Sequence, residues 1–101
     1  MTKEIITHVY EEFFQRNKAN GKADYKESMV CFWNNLIFYT MHRRYISDTE
    51  YVDVLTMIYP GKVTNVKWED IDLSTITRCE TFDYIMHTYG GLYLAMLDAD
   101  E

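Results

Sequence analysis

The sequence predicts a mainly α fold, a compact bundle of about four helices in a single domain over residues 1–101. Three observations predict it. Four Gly and one Pro are all that punctuate 101 residues, which favours a few long elements over many short strands. Residues 3–17 carry apolar side chains at helical spacing. Three pairs, Asp24 with Glu27, Ser47 with Glu50 and Thr77 with Glu80, repeat the capping box that opens a helix. Apolar residues make up 48% of the chain and aromatic residues 16%, enough for one core and too many for a disordered tail.

The first helix places Ile5, Ile6, Val9, Tyr10, Phe13 and Phe14 on one side, with Glu4, Glu11, Glu12, Gln15 and Arg16 between them. Thr2 is positioned to cap its start. Asn20-Gly21 supplies the left-handed residue that ends many helices. Asp24 and Glu27 then open a helix expected over about 25–45. Its apolar residues, from Met29 to Tyr45, occupy nearly the whole circumference, so the helix belongs at the centre of the fold. Asn34 and Asn35 interrupt it and require hydrogen-bond partners if buried. His42, Arg43 and Arg44 fall in its last turn, where the helix dipole favours positive charge.

The third helix runs from Ser47 to Ile58 or Tyr59 and closes at Pro60-Gly61. Residues 62–73 fit neither period, and a strand and a helical turn stand as equals there. A fourth helix, capped by Thr77 or starting instead at Ser74 or Thr75, carries Ile76, Cys79, Phe82, Ile85, Met86 and Tyr89, with Gly90-Gly91 as its break. One small two-stranded element could join 62–73 to 92–97.

The net charge of −6 is unevenly placed. Residues 1–50 hold seven Lys/Arg and seven Asp/Glu; residues 51–101 hold three and nine, so the second half carries the whole net charge. Direct contact with nucleic-acid phosphates needs clustered Lys/Arg and is not expected. The longest uncharged run, Ser28 to Met41, is 14 residues, too short for a membrane span. The start of the sequence has no apolar signal core. Cys31 and Cys79 fit neither a zinc spacing nor a disulfide scaffold. These features lead to the expectation of a cytoplasmic protein with reduced thiols, no cofactor and no membrane partner.

Four groups of residues bear on chemistry. Cys79, Asp83 and His87 at i, i+4, i+8 would share a helix face beside Glu80, and Asp83 with His87 is a weak metal or acid–base pair. An ordinary surface pair with Cys79 facing the core explains the same spacing. His42-Arg43-Arg44 with Tyr39 and Tyr45 is a compact basic-aromatic cluster able to hold a phosphate or an acidic partner, or simply to complement a helix end. Glu69, Asp70 and Asp72 beside Trp68 form a dense acidic cluster, which lacks the remaining ligands and glycine of an EF-hand. It suits a basic protein surface, with Trp68 as an apolar anchor, or a solvated loop over a buried Trp68. Asp98, Asp100 and Glu101 form an acidic end.

Residues Gly61 to Leu73, with Trp68-Glu69-Asp70-Ile71-Asp72 at their centre, resemble a stretch near the start of the tyrosine recombinase catalytic domain, where a helix precedes a Trp-x-Asp-Ile-Asp turn. The resemblance covers about a tenth of the chain. The family's catalytic arginine has no counterpart, since Tyr59 and Pro60 occupy that region. The resemblance therefore implies no recombinase activity, only a helix over 62–67 and a turn over 68–72.

The expected function is non-catalytic protein binding. Its concrete form is a small acidic inhibitor, of the kind encoded by viruses or mobile elements, that occupies the basic nucleic-acid-binding surface of a target protein. The partner contacts are Trp68, Glu69, Asp70, Asp72, Asp98, Asp100 and Glu101. The alternatives are a small metal-dependent or acid–base enzyme using Asp83 and His87, and a structural homodimer built on the aromatic central helix.

Overall fold

A computed structural model describes residues 1–59 and 62–88 and shows an α+β fold, not a helical bundle. One long helix, α1 (Lys3–Ala19), is followed by a 3-10 turn (Tyr25–Glu27) and four strands: β1 (Met29–Trp33), β2 (Phe38–Tyr45), β3 (Tyr51–Tyr59) and β4 (Lys62–Val66). Two 3-10 turns, Trp68–Asp70 and Leu73–Thr75, lead to β5 (Arg78–Thr81). Residues 82–88 form a second helical segment, α2. The strands make one antiparallel sheet in the order β4-β3-β2-β1-β5.

α1 forms as expected. Thr2 Oγ1 accepts from Ile5 N–H at 3.2 Å, and Gly21, at φ 70°, turns the chain out of the helix. Ile6, Tyr10 and Phe14 pack on one sheet face with Val30, Phe32, Tyr39, Met41 and Leu55. Cys31, Phe38 and Ile58 point to the other face, where Ile85 and Phe82 of α2 meet them. The inner strands are thus covered on both faces over part of their length.

That double covering explains the largest correction. Residues 25–45 are not a helix but a 3-10 turn and the hairpin β1–β2. A strand buried on both faces is continuously apolar, and this looks like a buried helix when periodicity is the only guide. Asn34 and Asn35 are the hairpin's turn rather than an interruption: Asn34 Oδ1 accepts from Leu36 and Ile37 N–H at 2.8 and 2.7 Å. The aromatic central helix on which a homodimer would be built is therefore not formed.

The other capping boxes are reassigned in the same way. Residues 51–59 are β3, paired along β2 from Tyr45↔Tyr51 to Phe38↔Ile58. Ser47 does hold backbone N–H groups, those of Thr49 and Glu50 at 3.3 and 3.1 Å, but within the β2–β3 turn. A Ser side chain makes the same local bonds in a turn as at a helix start. The expected helix after Thr77 is β5 up to Thr81; Thr81 Oγ1 then accepts from Tyr84 N–H at 3.3 Å as the helical segment begins. Residues 62–66 are a strand paired with β3, not the helix implied by the recombinase-like stretch. The turn expected over 68–72 is present. Residues 92–97 and Gly90-Gly91 lie outside the described residues.

Candidate functional site: an acidic tip pinned by Trp68

The stretch after β4 forms a tip beside the start of α1. The Met1 ammonium donates to the Leu73 carbonyl at 3.3 Å, and Lys3 Nζ stands 5.3 Å from the Trp68 ring centre. Trp68 is half-buried and does not project as a free anchor. Its ring stacks on Phe32 at 6.1 Å and 7°, and Phe32 stacks on Tyr39 at 5.2 Å. The Trp68 Nε1–H donates to Asp53 Oδ2 at 3.2 Å. An indole that is stacked and hydrogen-bonded at once has little rotamer freedom left, so the backbone that follows it is held as well.

The three acidic residues of the tip have different tasks. Asp70 Oδ2 accepts from Lys67 N–H at 3.1 Å and closes the first 3-10 turn. Asp72 Oδ1 accepts from Ser74 N–H at 3.2 Å and opens the second. Glu69 is exposed and makes no hydrogen bond or ion pair among the described residues. Asp70 and Asp72 are exposed as well, so all three carboxylates face solvent on a fixed backbone. Burial, with the Asp72 carboxylate nearby, pushes the Tyr39 phenol up. Asp98, Asp100 and Glu101 lie outside the described residues.

Asp53, which no sequence pattern singled out, anchors the tip to the sheet. It lies opposite Arg43 in the β2–β3 register, and Arg43 Nε donates to its Oδ1 at 2.9 Å. Arg43 is only 6% exposed. Its Nη1 also contacts the Glu11 carboxylate from α1, and its guanidinium stands 4.1 Å from the Tyr51 ring centre and 5.0 Å from that of Tyr10. A buried guanidinium between two carboxylates and two rings satisfies the requirement that buried charge be paired. Asp53 is the one charged residue of β3, and that was the available signal: it needs a cation, and the hairpin register supplies Arg43.

Glu4 and the tip acids, with Lys3 and the Met1 ammonium among them, lie at the N-terminal end of α1. Arg16, Lys18 and, beyond Gly21, Lys22 and Lys26, with Asp24 and Glu27 among them, lie at its C-terminal end. Seventeen residues of helix put roughly 25 Å between the two groups. The arrangement agrees in sign with the helix dipole.

The remaining candidates separate. Cys79 is in β5 and packs into the α1-side core, whereas Asp83 and His87 are on α2; the three do not share a helix. Lys22 Nζ bonds the Asp83 carboxylate at 3.2 Å, and His87 is exposed. Cys31 and Cys79 are free; burial pushes both thiols up to about 12. They sit on adjacent strands but face opposite sides of the sheet, so no disulfide joins them. No helix among the described residues is long and apolar enough to cross a membrane. The chain matches no protein-family model, no curated protein and no solved structure.

Proposed function

We propose that the protein is a non-catalytic binding module whose acidic tip, Glu69, Asp70 and Asp72, engages a basic surface on a partner protein. In its concrete form the tip occupies a surface that otherwise holds nucleic acid, and the protein acts as an inhibitor. The observation that carries this reading is the pinning of Trp68 between Phe32 and Asp53. It fixes the backbone that carries three exposed carboxylates before any partner arrives, so little backbone ordering entropy is lost on binding. Fixed like charges steer an oppositely charged partner and raise its association rate.

Two baits test it: the full chain and its Glu69→Lys variant, used to capture proteins from host lysate at low and high salt. Glu69 is the position to reverse because its carboxylate holds no turn together. The reading predicts basic, nucleic-acid-binding proteins that are retained at low salt, depleted at high salt and depleted by the variant. Recovery of the same proteins by both baits at both salts would overturn it.

A further inference from the structure

The basic-aromatic cluster at the end of β2 is split by the strand. A helix end would put His42, Arg43 and Arg44 around one terminus; a strand alternates them. Arg43 turns to the α1 face and is neutralised by Asp53 and Glu11. His42 and Arg44 turn to the opposite face, and together with Arg43 and Tyr45 of the α1 face they line an open groove of about 530 Å³ at the end of β2. The complementation of a helix dipole, which would have accounted for these charges, does not apply because there is no helix.

Lys26 and Glu27, from the 3-10 turn, line the same groove, and Met29 and Phe82 give it an apolar wall. Lys26 Nζ stands 5.9 Å from the Tyr45 ring centre. Lys26 and Arg44 are exposed, and neither is ion-paired among the described residues. Lys22, the neighbouring cation, is used by Asp83. Burial holds the His42 imidazole below its usual value, so at neutral pH it is an uncharged donor and acceptor. Apart from the neutralised Arg43, the lining carries two cations and one carboxylate in a chain of net charge −6.

We propose that this groove binds a free organic phosphate, with the phosphate held by Lys26 and Arg44 and the apolar body against Met29 and Phe82. The volume lies within the range of small-molecule sites, roughly 300–1,000 Å³. Arg supplies a planar fork and Lys a point charge, the usual pair for a phosphate dianion. Glu27 is placed to accept from a hydroxyl on the ligand and disfavours a second anionic group. The site is separate from the acidic tip, and either can fail alone.

The test is an amide NMR titration of the full chain with phenyl phosphate up to about 10 mM, with phenol and anionic phosphatidylglycerol vesicles in parallel. Saturable shifts at Met29, Arg44, Tyr45 and Phe82, about tenfold weaker affinity in the Lys26→Gln/Arg44→Gln variant and no saturation by phenol are expected. Both substitutions are at exposed positions, and the spectrum itself reports whether the variant is folded. Absence of saturation by phenyl phosphate, equal affinity in the variant, equal binding of phenol, or binding to vesicles alone would each overturn the proposal.

Discussion

Trp68 Nε1 donates to Asp53 Oδ2 at 3.2 Å, so a carboxylate inside β3 holds the turn on which the exposed acids stand. The same carboxylate pairs with Arg43, which reaches Glu11 on α1. Tip, sheet and helix thus share one polar connection.

Trp68→Phe keeps a ring to stack on Phe32 but removes the N–H donor together with the second ring of the indole. Urea unfolding should show a loss of about 2 kcal/mol or more, the unmet hydrogen bond to a charged, partly buried acceptor adding to the lost ring contact. A variant as stable as the parent would show that the bond does not hold the tip.

Arg43→Ala leaves Asp53, whose side chain is 16% exposed, without its cation. The expected loss is about 3–5 kcal/mol, the range for a broken buried pair. Glu11 contributes little to it, as its side chain is 45% exposed. Arg43→Lys keeps the charge but loses the planar contact with Tyr51 and should fall between the two. Chemical denaturation of the three proteins orders them.

Burial pushes both thiols up to about 12, against the ordinary 9.0. At about pH 8 the native protein should react with a disulfide reagent at least about a hundredfold more slowly than the same chain in denaturant. Reaction at the denatured rate would mean that one strand carrying a cysteine is open.

How much of this was legible in the sequence follows from the environment of each segment. α1 has one apolar stripe against a sheet, and its period, its Thr2 cap and its Gly21 stop all read correctly. β1 and β2 contact packed elements on both faces, and the alternation that marks a strand is erased there. What remained was local: Asn34-Asn35 as a two-strand turn, and the β-branched and aromatic composition of 51–59. The acidic cluster was visible, and so was the alternative of a buried Trp68. Its support was not, because Asp53 and Arg43 meet only through a register that the helix assignment removes.

Burial of His42 makes its protonation harder in the folded chain than in the unfolded one. The unfolded chain therefore binds more protons as pH falls through 6.5, and stability drops below that value while nothing changes above it. Lys26 and Arg44 in the same groove oppose the added charge and Glu27 favours it. The stability difference between the parent and His42→Asn should shrink or reverse between about pH 7.5 and about pH 5.5. Parallel pH profiles would contradict it.

The most direct measurement is the association rate of the chain with a partner captured by its tip, followed from about 50 mM to about 500 mM salt. The account predicts a fall of about tenfold or more, with Glu69→Lys slower than the parent at low salt and the two converging at high salt. A rate indifferent to salt and to Glu69→Lys would contradict the claim that this protein binds through its acidic tip.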